Sequence, residues 1–206
     1  MKKIMTILVL SMSLTLTAQG TYEKGMQKAF GFWSSGKTTE AANLFERISS
    51  AEKNNWLPLY YAAQVRVLSS FGLKDETVIT ANLKAAQKNI DQAFEISNNN
   101  AELLVLQALL HTVWVAFDGA TYGPKLSGTV YGLYAKAHKI APNNPRVVYA
   151  KAEWEMGGAK FFGKDITPFC KDIQRSLELF ATFELETPFH PNWGKERAEQ
   201  IANDCK

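Results

Sequence analysis

Residues 31–38 read Gly-Phe-Trp-Ser-Ser-Gly-Lys-Thr. In form this matches the phosphate-binding pattern G-x-x-x-x-G-K-[ST]. That loop works when a strand feeds a glycine-rich turn whose amides wrap the phosphates and a helix follows. Here Met26, Ala29, Phe30 and Trp33 precede the turn at helical spacing. A helix over 22–34 then leads into the segment, and no strand downstream offers a magnesium-binding Asp. Gly36 is read as a turn between two helices, and Lys37 as a solvated side chain.

The other chemically able residues are scattered. His111, His138 and His190 show no H-x-x-x-H spacing, and Cys170 and Cys205 form no C-x-x-C. There is no G-x-S-x-G nucleophile elbow. Asp and Glu are spread over what read as exposed helix faces. No catalytic residue, metal site or cofactor is expected. One arrangement stands out, on the apolar run 101–117. Gln107, His111, Trp114 and Asp118 follow i, i+4, i+7, i+11 and form a polar and aromatic stripe on an otherwise greasy helix. Such a stripe either binds a partner or satisfies polar groups inside the core.

The elements that must carry these residues are helical. Ala41, Leu44, Phe45 and Ile48 form one i, i+3, i+4, i+7 stripe, and Trp56, Tyr60, Ala63 and Val67 form another. Ile79 to Ala93, Val130 to Ile140, Phe169 to Phe180 and Ala198 to Cys205 continue the pattern. Breakers separate the stripes at Ser35-Gly36, 98–100, 142–145, Gly157-Gly158 and 188–191. The composition is that of a folded domain, with 46% hydrophobic and 21% charged residues.

The breakers recur. QAFEISNNNAELL (92–104) and KAHKIAPNNPRVV (136–148) superpose without gaps. FERISSAEKNNWLP (45–58) is a looser copy, and SLELFATFE (176–184) a degenerate one. A repeat of roughly 40 residues is the mark of an α-solenoid, in which stacked helix pairs bury a continuous core. GKTTEAANLFERI (36–48) and AKAHKIAPNN (135–144) resemble the tetratricopeptide family. Its unit is two antiparallel helices with small residues where they pack, here Ala41. The resemblance implies an all-α solenoid of three to four such pairs over about 22–186, closed by a C-terminal capping helix. The longer spacing is explained by insertions at 72–80, 118–128 and 157–167.

In that fold the first helices line a groove. Gln64 would join Gln107, His111, Trp114 and Asp118 there, with Tyr122 on an overhanging loop. The expected function is a non-catalytic scaffold that binds a protein or peptide. The alternative is a solute-binding adaptor subunit of an envelope complex, with the solute held under the glycine-rich loops.

The start of the chain sets the compartment. Lys2 and Lys3, an apolar stretch from Ile4 to Thr17, and Ala18-Gln19-Gly20 read as a bacterial signal peptide over 1–20. Cleavage is expected after Gly20, or after Ala18. The repeat domain would be 21–206, periplasmic or secreted. Removing two lysines leaves 21 Lys and Arg against 20 Asp and Glu. That balance argues against nucleic acid as a partner. The run 101–117 is interrupted by Glu102, Gln107 and His111, so no later segment is expected to span a membrane.

An oxidising compartment favours pairing of the two cysteines. Both sit on apolar helix faces, and 188–191 reads as a hairpin between their helices. With antiparallel neighbours, Cys170 and Cys205 fall near the same far end, and a Cys170–Cys205 disulfide is expected.

Overall fold

The computed structural model describes residues 20–205. The signal-peptide reading falls, except for Gly20, outside the described residues. Among those described, the regular structure is entirely helical. The helices are α1 (20–34), α2 (Thr38–Ala51), α3 (Leu57–Ser70), α4 (Glu76–Ile96), α5 (Ala101–Phe117), α6 (Gly119–Ile140), α7 (Pro145–Phe161), α8 (Thr167–Thr182) and α9 (Lys195–Asp204). They pair in sequence, α1 with α2 through Met26, Ala29 and Phe30 against Ala41 and Phe45, then α3 with α4, α5 with α6 and α7 with α8, and α9 packs on α8 as a cap. The arrangement is the solenoid-like stack of helix pairs that the repeat implies.

The repeat is visible in its caps. Asn55, Asn100 and Asn144 stand at the starts of α3, α5 and α7. Each accepts from the amide two residues on, at 3.0, 2.9 and 2.9 Å. An Asn in this role satisfies amides that the first helical turn leaves unpaired. The other edge of the stack turns differently. Gly36, Gly72 and Gly163 end α1, α3 and α7 at φ of 75°, 80° and 64°. That left-handed backbone costs glycine least.

α5 explains why the apolar run 101–117 lacks a clean stripe. Leu103, Leu106, Leu110 and Val113 pack into a core shared with α1 to α4. Ala101, Leu104, Val105 and Ala108 pack into a second core shared with α6 to α9. A helix packed on both sides keeps only a narrow polar strip, here Gln107, His111 and Thr112.

The expected insertions are corrected. Residues 118–128 are not a loop: Asp118 alone joins α5 to α6, and Asp118 Oδ1 accepts from Thr121 N at 3.1 Å to start α6. Gly119, Gly123, Pro124 and Gly128 misled because they disfavour a helix interior, yet α6 packs along α5 and overrides them. Likewise α7 runs through Gly157 and Gly158 to Phe161, and α4 already begins at Glu76. The real turns are 162–166 and 71–75.

Cys170 on α8 and Cys205 at the end of α9 are joined, with Cα atoms 5.8 Å apart. The two arms do return to one end, as expected. The connector between them differs from the expected hairpin: residues 183–194 form a long strap that leaves α8 and crosses the stack.

Candidate functional site

The strap touches the first helix of every pair. Phe189 meets Tyr22 edge-on at 5.5 Å and stacks on Phe30 at 6.1 Å, both on α1. The Tyr61 hydroxyl of α3 donates to the Phe189 carbonyl at 2.9 Å. Trp193 Nε1 donates to the Tyr60 hydroxyl at 2.7 Å. His190 lies 3.9 Å from Glu102 at the start of α5. Phe183 lies against Arg146 at the start of α7, and Trp193 against Tyr149. A single segment thus runs along α1 and α3 and across the starts of α5 and α7, and of the residues expected to line a groove it shares a cleft with Gln64.

Its edge leaves a cleft of about 370 Å³. Phe30 and Trp33 of α1, Tyr61, Gln64 and Leu68 of α3, and Pro188, Phe189, His190, Asn192 and Trp193 of the strap line it. The walls are mostly rings, as small-molecule sites generally are. Helical spacing brings the α3 residues together: Tyr61, Gln64 and Leu68 follow i, i+3, i+7. Gln64 is buried, and its Oε1 has no hydrogen-bond partner. A buried acceptor without a donor is rare and calls for an explanation. Burial pushes the Tyr60 and Tyr61 hydroxyls well up, so both stay protonated donors.

A second, more polar cleft of about 550 Å³ lies at the turn edge between Asn98–Asn100 and Pro142–Asn144. Trp56, Phe183, Glu186 and His190 close it. His190 is shared by both clefts. Its proton affinity is lowered, first by burial, while Glu102 pulls the other way.

Of the residues picked from sequence, Gln64 lies in the aromatic cleft and the others lie elsewhere. Gln107 faces α4, exchanging amide hydrogen bonds with Gln87 at 2.7 and 2.8 Å. Its Nε2 is also 3.2 Å from His111 Nε2. His111 is half-buried, and burial lowers its pKa. Trp114 packs on Phe117 and Tyr122. The Tyr122 hydroxyl donates to Glu76 at 3.1 Å, and Asp118 caps α6. These contacts tie α4, α5 and α6 together. Sequence reasoning missed Phe30, Trp33, Tyr61, Phe189 and Trp193 as a set. Phe183, Phe189 and Trp193 within twelve residues were a usable signal, since a plain linker seldom carries such rings.

Among the described residues no group of three or more His, Cys, Asp or Glu could hold a metal ion. No described helix is long and apolar enough to cross a membrane. The 31–38 segment is the end of α1, a turn at Gly36 and the start of α2, so no strand feeds it.

No family model matches the chain, and no curated protein does. Among solved structures, the chain is similar to the HusA haemophore from Porphyromonas gingivalis. That match has a TM-score of 0.79 and 20% identity, and covers 90% of this chain and 92% of that one.

Proposed function

We propose that this chain is an extracytoplasmic binding protein that holds a flat, hydrophobic ligand of the porphyrin class in its aromatic cleft. The observation that carries the reading is the convergence of Phe30, Trp33, Tyr61, Phe189 and Trp193 around one open cleft. Rings at this density suit a planar aromatic guest, through area burial and offset stacking. The likeness to a protein described as a haemophore supports the same class of cargo. The Cys170–Cys205 bond supports an oxidising compartment. A peptide in the groove is less well supported, because of the expected groove residues Gln64 alone lines this cleft, while Gln107, Trp114 and Tyr122 are engaged by residues of α4 to α6.

The cleft fits the macrocycle better than the metal. Its histidine, His190, is only 7% exposed, and its ring nitrogens lie 3.9 and 3.8 Å from Glu102 and Glu186. Stacking and area burial would therefore carry the affinity. The unpaired Gln64 Oε1 would accept from a polar edge of the guest.

Titration of the exported protein with haem, and separately with iron-free protoporphyrin, tests this. Both should quench tryptophan fluorescence saturably, and Trp33→Ala should weaken both roughly tenfold or more. Absence of saturable binding by either porphyrin overturns the proposal. Binding of haem alone would instead assign the affinity to iron.

A further inference from the structure

Gln64 breaks a rule that the rest of the interior keeps. It is 1% exposed, on a stretch of α3 where Ala62, Ala63, Val65 and Val67 are buried and apolar. Ser70, Asn89, Glu102, Gln107, Arg146 and Ser176 are buried as well, and each has a hydrogen-bond partner. Gln64 has none among the described residues: its Oε1 is shut off from water without a donor, and its Nε2 makes no bond. A leucine of similar size would carry no such penalty. Residues that break a local rule at a cost in stability are expected at functional sites, and Gln64 lines the aromatic cleft.

An amide free at both ends offers an acceptor and a donor on neighbouring atoms. This holds whichever way the amide is turned. The group that satisfies both at once is a ring lactam, whose N–H meets the amide oxygen while its C=O meets the amide nitrogen. Asn192, exposed on the strap in the same cleft, adds a second amide that no described residue binds. Among the described residues that line the cleft there is no lysine or arginine. A carboxylate that entered would find no cation to pair with.

This polar content separates two kinds of tetrapyrrole. A closed porphyrin turns its pyrrole nitrogens inward, and its rim carries methyl, vinyl and propionate groups. With the propionates left in water, the rim that enters is apolar and leaves Gln64 unpaired. An open-chain tetrapyrrole has a similar conjugated body for the rings of the cleft to stack on, but each end is a lactam and the propionates sit on the middle rings. It can set one lactam against Gln64 and keep both propionates in water. We propose that the aromatic cleft selects open-chain tetrapyrroles over closed porphyrins, and that Gln64 reads the lactam edge. A site built to hydrogen-bond one guest rejects the analogue that lacks the group, because its own buried atoms stay unpaired. The inference rests on the reading of the cleft as a tetrapyrrole site and narrows it.

The test is titration of the exported protein, and of Gln64→Leu, with biliverdin, protoporphyrin and riboflavin, read by tryptophan quenching. Biliverdin is also read by the circular dichroism induced in its visible band. Wild type should bind biliverdin roughly tenfold or more tighter than protoporphyrin. Gln64→Leu should erase that preference, weakening biliverdin while protoporphyrin stays within about twofold. Leucine removes an unpaired buried amide, so the variant should keep or raise the wild-type melting temperature. Protoporphyrin bound more tightly than biliverdin overturns the inference and leaves the porphyrin reading standing. So does an equal loss of both ligands in Gln64→Leu. Biliverdin bound without protoporphyrin keeps the inference and overturns the porphyrin reading, and binding of neither overturns both. Riboflavin has a planar fused ring with the same N–H and C=O edge. If it binds through Gln64 and more tightly than biliverdin, the assignment to a tetrapyrrole is overturned.

Discussion

Glu102 and Arg146 occupy the same position in successive repeats and bind each other directly. Each stands two residues after its capping Asn, and Arg146 Nη2 lies 2.6 Å from Glu102 Oε1. Both side chains are almost fully buried, at 4% and 0% exposure. Asn144 adds a bond to the same carboxylate at 2.6 Å, and Phe183 of the strap covers the guanidinium. The pair couples α5 to α7 and lies under the strap. Removing one partner strands the other charge in the core. Glu102→Ala should therefore cost about 3–5 kcal/mol in urea unfolding. Replacing both residues by apolar ones should cost far less, because the stranded charge is then gone. Equal losses in the two variants would show that the pair is not the source of the effect.

The disulfide closes a chain segment that contains the whole strap. Cys170 and Cys205 are 35 residues apart, and by the chain-entropy relation a loop of that size is worth about 4 kcal/mol. Cys170→Ser with Cys205→Ser should lower stability by about that amount or less. Limited proteolysis should then cut first within 183–194, where the loosened cap no longer holds the strap. Cleavage in the α1–α2 pair first would place the weak point elsewhere.

Much of the fold was legible because repeat physics is local. Asn-Asn caps, small packing residues and helical spacing lie within a few residues of each other, and the cysteine arms could be measured along two helices. The insertions were misread because glycine and proline in α6 and α7 signal breaks that packing against α5 and α8 overrides. The site was hardly legible at all. Gln64 was picked for its place on α3, but its neighbours Phe189 and Trp193 arrive from more than a hundred residues away. Nothing in the local pattern of 183–194 tells which face it covers. The stripe on α5 was legible as a stripe, but not that Gln87 of α4 would meet Gln107.

Acid should weaken the fold through its histidines. Burial lowers the pKa of His111 from 6.5, and burial also lowers that of His190 despite two nearby carboxylates. A depressed histidine pKa means that the unfolded chain binds protons the folded chain refuses. Stability is then complete above about pH 6.5 and falls as the pH drops through that value toward the lowered pKa. Melting temperature should decline between pH 7.5 and 5.5, and His111→Gln should flatten the decline. A melting temperature that rises on acidification would reverse the sign and refute this account.

Trp193 anchors the strap through one bond that can be removed alone. Its Nε1 donates to the Tyr60 hydroxyl, and Tyr60 is fully buried. Trp193→Phe keeps a ring against Tyr149 but leaves that hydroxyl without its donor. The loss of a buried hydrogen bond should cost about 1–3 kcal/mol. The same ring lines the aromatic cleft, so porphyrin affinity should change with it. Tyr60→Phe separates the two effects: it breaks the same bond from the core side and leaves the cleft wall intact. If Trp193→Phe weakens binding and Tyr60→Phe does not, Trp193 acts as a wall of the site. If both weaken it equally, the strap's position governs binding, and the cleft exists only while 183–194 stays docked.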